Sequence, residues 1–251
     1  MKTLVAIGCS HTKGAELYNG LAHHPENENL SFAKYLADKL GYNYINLSLN
    51  GASNDYIFRT TTEFFTQNIE NINDYAFLIG WTSCNRLEMH YHDDEDFSTY
   101  GLLELPVFDK KYIPIVAGMD THNLQSKRWT RMVEDYMDII INQTQGADKL
   151  SNYAFMLQNL FEKNSINYLM FNTINELYTT PSNSATIKLL NNKKYVNLYD
   201  ADYAFYWFCK KKLGFNDLTK LGHHKKPAHD GWAEYLYSQI MRSKNDWFTE
   251  K

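Results

Sequence analysis

No stretch of this chain stays apolar long enough to cross a bilayer, which takes about 20 consecutive apolar residues. A signal-peptide core is missing as well: one Lys and a short apolar run precede the first polar residues. Cysteine is scarce. Cys9, Cys84 and Cys209 are odd in number and far apart, which excludes a disulfide framework and paired metal-type spacing and reads as reduced thiols. Basic blocks are lacking too; Lys210-Lys211-Lys212 is the densest run, a solvated helix end, in a chain of net charge -4. Neither nucleic acid nor a membrane is expected as a partner. Gly8 and Gly14 are not followed by Gly-Lys-Ser/Thr, so they make no phosphate loop. These absences point to a soluble protein of the cytoplasm.

What is present suits one large core. The 251 residues are 44% hydrophobic and 15% aromatic, and a chain of this size folding as one domain buries roughly 70–75% of its unfolded surface. Residues 1–251 are read as a single domain. Leu4-Val5-Ala6-Ile7 is too short for a surface helix and breaks at Gly8-Cys9-Ser10, the pattern of a buried strand running into a loop. A polar loop follows to Asn29, then a helix from Ser31 to the stop at Gly41. Residues 44–49 alternate as a strand and end at Asn50-Gly51-Ala52, where Ser53 can cap the next helix. Tyr75–Ile79 is a third strand, ending in Gly80-Trp81-Thr82-Ser83-Cys84-Asn85-Arg86.

From about 87 to 125 periodicity dissolves, which predicts an insertion over one face of the sheet. Helical spacing returns over 129–141, breaks near Thr144-Gln145-Gly146 and resumes over 150–161. Asn167–Phe171 is a fourth strand and Tyr195–Tyr199 a short fifth; a helical stretch follows over 200–213, and a last helix over Asp230–Arg242. Strands alternating with helices predict an α/β fold with a parallel, doubly wound sheet of about five strands.

In such a sheet ligands and catalytic groups collect at the carboxyl ends of the strands. A serine nucleophile needs an exposed hydroxyl, a base within reach and donors for the developing oxyanion. Ser10 follows the first strand, Gly51 follows the second with its N–H unobstructed, and Thr82 and Asn85 follow the third with side chains that can donate. The base is sought in Gly222-His223-His224-Lys225-Lys226-Pro227-Ala228-His229-Asp230-Gly231-Trp232-Ala233-Glu234, which holds three histidines.

The order Gly-x-Ser-x-x-x-Gly, then Asn-x-Ser-x-x-Gly, then Gly-Trp-Thr-Ser, then a His-rich loop before Trp-Ala-Glu resembles the SGNH, or GDSL-like, hydrolase superfamily, over nearly the whole chain. The resemblance implies a three-layer α/β/α, flavodoxin-like fold and an esterase, lipase, thioesterase or deacetylase activity with no metal and no organic cofactor. It implies Ser10 as nucleophile and, through its N–H, first oxyanion donor, with Gly51 as the second. The family's third donor is an Asn, and Thr82 stands there, so Asn85 or the Thr hydroxyl would take that part.

The family's histidine pattern fits His223 as base, with His229 as the later histidine before Trp232-Ala233; His224 and His229 stay open as alternatives. Lys220 and Leu221 occupy the positions of the family's orienting Asp. That leaves a Ser–His dyad, or a triad through Asp217. A polar or carbohydrate substrate carrying a small acyl ester is expected. The alternatives are a catalytically silent ligand-binding protein of the same fold and an acyltransferase using the same serine. Cys9 reads as a core-facing strand residue, His11 as part of the pocket rim or facing solvent, and the His90–Asp96 stretch as a solvated acidic loop.

Overall fold

The computed structural model describes residues 1–90, 112–115, 131, 134–135, 143–174 and 185–242. Its organising element is strand β1 (Thr3–Ile7), which is buried from Leu4 onward. Val5 and Ile7 enter one core while Leu4 and Ala6 enter another. A strand covered on both faces must be apolar at successive positions, which is why Leu4–Ile7 reads as a run and not as an alternation. Its neighbours are β2 (Asn43–Asn46) and β3 (Tyr75–Trp81), and β3 pairs in turn with β6 (Asn167–Asn172). All three pairings are parallel, in the order β2-β1-β3-β6.

The fifth strand expected over Tyr195–Tyr199 is reduced to one parallel bridge between Tyr195 and Met170. Asn197, at φ 40, turns the chain away before a second pair can form.

Helices cover both faces. α1 (Ser10–Lys13) and α2 (Glu26–Leu30) are short. α3 (Phe32–Leu40) is capped by the Ser31 hydroxyl, which accepts from Lys34 N–H, and closes on Gly41 in the left-handed region. α4 (Asn54–Gln67) is capped in the same way by Ser53. α5 (Gln143–Lys163) runs without the break expected at Thr144–Gly146. Gly146 lies inside it because a Cβ there would sit 2.3 Å from the Cys84 carbonyl oxygen. The glycine marks a close approach, not a helix end.

α6 (Phe205–Lys211) and α7 (Lys226–Arg242) complete the set; α7 begins at Lys226, ahead of the expected Asp230, and takes Pro227 and His229 into its first turns. α4 and α5 pack Ile57, Phe64, Leu150 and Phe161 against Val5, Ile7, Phe77 and Ile79. On the other face α3, α6 and α7 pack Phe32, Phe205, Trp232 and Leu236 against Leu4, Ala6, Leu78 and Phe171. The fold is therefore α/β/α in three layers.

Within the expected insertion, β4 (Leu87–His90) pairs antiparallel with β5 (Tyr112–Ile115). Arg59 of α4 anchors β4 through Glu88, with Nη2–Oε1 at 2.5 Å. The rest of the insertion, residues 91–96 of the acidic stretch and most of the helix expected over 129–141 lie outside the described residues. Among the described residues no helix is long and apolar enough to cross a membrane.

Candidate active site

β1 ends in Gly8 and Cys9, and Ser10 opens the single turn of α1, which Gly14 closes at φ 83 with its N–H on the Ser10 carbonyl. Two glycines allow this turn to sit on the sheet. A Cβ on Gly8 would lie 2.3 Å from Thr12 Oγ1, and one on Gly80 would lie 2.5 Å from the same atom. Thr12 thus fills the space between the ends of β1 and β3, and either glycine replaced would push it out.

β1 and β3 run parallel with Ile7 opposite Ile79, so the turn that carries Ser10 and the loop that carries Thr82 leave the same edge of the sheet. On the other side Leu49 N–H donates to the Gly8 carbonyl at 3.0 Å, and the chain then turns at Gly51. Three loops consequently share the carboxyl edge of the sheet.

His223 reaches Ser10. Its Nε2 lies 2.9 Å from Ser10 Oγ and its Nδ1 lies 2.7 Å from Glu16 Oε2. With the ring proton on Nδ1, that N–H donates to the carboxylate, leaving Nε2 to accept from the serine hydroxyl. Glu16 is 3% exposed and also receives the Thr219 hydroxyl at 2.5 Å and the Leu221 N–H at 3.2 Å. Burial opposes its charge, but the hydrogen bonds from Thr219, His223 and Leu221 outweigh it and hold the carboxyl below its ordinary range.

Glu16 adopts φ 66, a conformation that costs a non-glycine residue about 1 kcal/mol or more. The strain is held by the loop around it. Buried Asn27 donates through Nδ2 to the Leu21 carbonyl at 2.6 Å and accepts from Tyr18 N–H at 2.7 Å, closing the chain after Glu16. On the opposite side Thr219 and His223 form a tight turn, with Thr219 N–H donating to the His223 carbonyl at 2.8 Å. Gly222 within it has φ 85.

The carboxylate that meets His223 thus does not come from the place where the family spacing puts its acid. Asp217 pairs with Lys225 at 2.5 Å and is 78% exposed, while the carboxylate on His223 comes from six residues past the serine. The alternative histidines are engaged elsewhere. His224 donates from Nε2 to the Tyr206 carbonyl at 2.9 Å. His229 accepts the first N–H of α3, that of Phe32, at 3.2 Å, and its ring packs between Phe32 and Phe205. Burial is the main cause that lowers both of these histidines, His229 well below its ordinary value.

His11 is buried as well, with its ring edge-on to His223 at 5.0 Å between centroids, and is likewise held neutral, first by burial and then by the neighbouring His223. It packs against the imidazole and, at 6% exposure, does not face solvent, the second of the two placements expected for it. Cys9 is buried as expected, with Sγ 3.4 Å from Thr173 Oγ1.

For the oxyanion, the N–H of Ser10 stands free at the start of α1, as helix geometry requires. Gly51 holds φ 77 in a turn closed by Ala52 N–H on the Leu49 carbonyl. Thr82 is clamped through its backbone: its N–H donates to Asn54 Oδ1 at 2.9 Å and its carbonyl accepts from Asn54 Nδ2 at 3.2 Å. The Thr82 hydroxyl is left buried without a partner, as is Asn85 Oδ1. Asn54, Glu16 and Thr219 escaped the sequence reading. Glu16 lies between Ala15 and Leu17, and that apolar flanking was the one local hint of a buried carboxylate.

The arrangement can pass a proton from a hydroxyl to an imidazole braced by a carboxylate, beside donors for a negative oxygen. Among solved structures, the chain is similar to the psychrotrophic esterase EstA from Pseudoalteromonas sp., inhibited by monoethylphosphonate. The identity is 13% and the TM-score 0.47, over 98% of this chain and 100% of that one. It is also similar to a carbohydrate esterase family 2 enzyme with a carbohydrate-binding domain from Corynascus thermopiles (Myceliophthora fergusii), at 11% identity and TM-score 0.47, over 97% of this chain and 67% of that one. A third is an acetyl xylan esterase, Est2A, from the rumen bacterium Butyrivibrio proteoclasticus, at 14% identity and TM-score 0.44, over 98% and 65%. No curated protein matches. A model for a family of unknown function, DUF6071, matches residues 15–190, a span that includes Glu16 but neither Ser10 nor His223.

Proposed function

The chain belongs to the DUF6071 family, whose function is unknown, and from the site itself we propose that it is a serine ester hydrolase of SGNH type working through a Ser10–His223–Glu16 triad. The observation that carries this reading is the continuous chain of contacts from Ser10 Oγ to His223 Nε2 at 2.9 Å and from His223 Nδ1 to Glu16 at 2.7 Å. Ser10 Oγ attacks the ester carbonyl as its proton passes to His223 Nε2. The carbonyl oxygen becomes an oxyanion facing the N–H groups of Ser10 and Gly51 and the Thr82 hydroxyl. Collapse breaks the C–O bond, and the leaving alcohol takes the proton from His223. Water then attacks the acyl-serine with His223 as base, releasing the acid and restoring Ser10.

Glu16 stays ionised throughout, holding the ring in the tautomer whose Nε2 can accept and offsetting the charge on the imidazolium. The substrate class that fits is a small acyl ester, such as an O-acetyl group, on a polar or carbohydrate alcohol. No long apolar stretch is available to line a tunnel for a long acyl chain.

An alkyl phosphonate ester should label the native protein at Ser10 and leave Ser10→Ala unlabelled. Small nitrophenyl esters should be hydrolysed by the native protein with a loss of at least roughly 1000-fold in Ser10→Ala. Equal turnover by the two proteins would end the hydrolase reading. Absence of labelling together with thermal stabilisation by a ligand would return the chain to a binding role.

A further inference from the structure

Arg86 follows Asn85 in the loop that also carries Thr82, and the residue is half-buried at the same edge of the sheet as Ser10. Nη1 donates to the Ala52 carbonyl at 3.3 Å, directly after the Gly51 turn. No carboxylate pairs with it among the described residues. Several other part-buried cations are neutralised: Lys13 by Glu28 at 3.6 Å, Arg59 by Glu88 and Glu63, Lys226 by Asp230. A guanidinium has five donors, and one backbone carbonyl leaves the fork largely unused.

The surroundings are prepared for a polar ligand. His11 Nδ1 and Thr82 Oγ1, both able to donate, are buried without partners among the described residues on the loops that meet here, and buried polar atoms are seldom left so unless something else satisfies them. Thr82 is 1% exposed. The positive charge is felt inside the site, since Arg86 is among the groups that keep His11 neutral, after burial and His223.

We propose that Arg86 binds an oxyanionic group, such as a carboxylate, on the substrate, so that the preferred esters carry a negative charge close to the scissile bond on the Gly51–Ala52 side of Ser10. This rests on the hydrolase reading for its kinetic consequence but not for the binding itself. With a net charge of -4 the protein as a whole repels anions, so a guanidinium with no carboxylate partner among the described residues selects such a substrate by local pairing, not by long-range attraction.

The test compares 4-nitrophenyl hemisuccinate with 4-nitrophenyl acetate. The ratio of their kcat/KM values should fall roughly 10- to 100-fold in Arg86→Met and by less in Arg86→Lys, which keeps the charge but loses the fork. An unchanged ratio in Arg86→Met would overturn the assignment, and so would an equal loss on both esters. Calorimetry with monomethyl succinate on Ser10→Ala separates this from failure of the hydrolase reading. Binding there that Arg86→Met abolishes upholds the anion site even if neither nitrophenyl ester turns over; no binding, or binding indifferent to Arg86, overturns it.

Discussion

The turn carrying His223 and the first turns of α7 carrying His229 are only a few residues apart, yet they handle an imidazole in opposite ways. At the turn, both ring nitrogens are engaged across the open edge of the sheet, one on Glu16 and one on Ser10. In α7 the ring is sunk between Phe32 and Phe205, and Nδ1 satisfies an orphan N–H at the start of α3. The first arrangement keeps a ring nitrogen pointed at a serine hydroxyl; the second consumes it in holding two helices together. What separates a catalytic geometry from a structural one is the partner of each nitrogen, and that partner is supplied from some 200 residues away in both cases.

Removing the carboxylate should break the comparison most sharply. Glu16→Gln preserves volume but loses the acceptor that fixes the His223 tautomer and balances its positive charge. The expected fall in kcat is roughly 1000- to 10,000-fold, with KM little changed. Steady-state kinetics on a nitrophenyl ester measures it. A fall of less than tenfold would mean that His223 works as a dyad and that Glu16 only closes the loop.

The buried histidines predict a stability profile of their own. His11 and His229 are held well below the ordinary value of 6.5 by burial, so below that pH the unfolded chain binds protons that the folded chain refuses. Stability is therefore full above pH 6.5 and declines as pH falls below it, by about 1.4 kcal/mol per pH unit for each group. Glu16, whose carboxyl is lowered, adds its own loss only further down, below the ordinary carboxylate value of 4.5. Urea unfolding between pH 7.5 and 5.5 should show the decline. His229→Gln, which can still accept the Phe32 N–H but cannot titrate, should cut the slope by about a third to a half, since His11 and His224 still contribute; an unchanged slope would mean that His229 takes up a proton in the folded state.

The same contrast explains what could be read from the residues alone. β1 and β3 were legible because strands buried on both faces must be apolar throughout and end where Gly80 and Gly8 admit Thr12. α3 was legible because Ser31 and Gly41 are local signals at its two ends. Glu16 was not, because its role depends on a left-handed backbone and on a turn more than 200 residues later that meets it only through the fold. The acid was sought beside the histidine, where Asp217 lies, and the spacing to Trp232-Ala233 drew attention to His229 for a reason that packing explains. Tyr195–Val196 looks like a strand and makes a single bridge because the conformation of Asn197 ends it.

Thr82 offers a smaller effect that sharpens the account of the oxyanion. Thr82→Val keeps the shape clamped by Asn54, whose bonds go to the Thr82 backbone, and removes only the hydroxyl. With two backbone donors remaining, kcat should fall roughly 10- to 100-fold while the melting temperature holds or rises, since the lost hydroxyl is buried without a partner. An unchanged kcat would leave the oxyanion to backbone N–H groups and Asn85.

The smallest expected effect lies at Asp217, and its smallness carries the information. Its pair with Lys225 joins side chains that are 78% and 51% exposed, and such pairs contribute about 0–1 kcal/mol. Asp217→Asn should leave kcat and KM within about twofold of the native values. Because Asp217 lies in the loop where the family pattern puts its acid, a large loss of kcat here, with Glu16→Gln still active, would mean that the histidine turn rearranges during catalysis to exchange one carboxylate for the other. A null result beside an inactive Glu16→Gln assigns the triad's acid to the nucleophile's own loop.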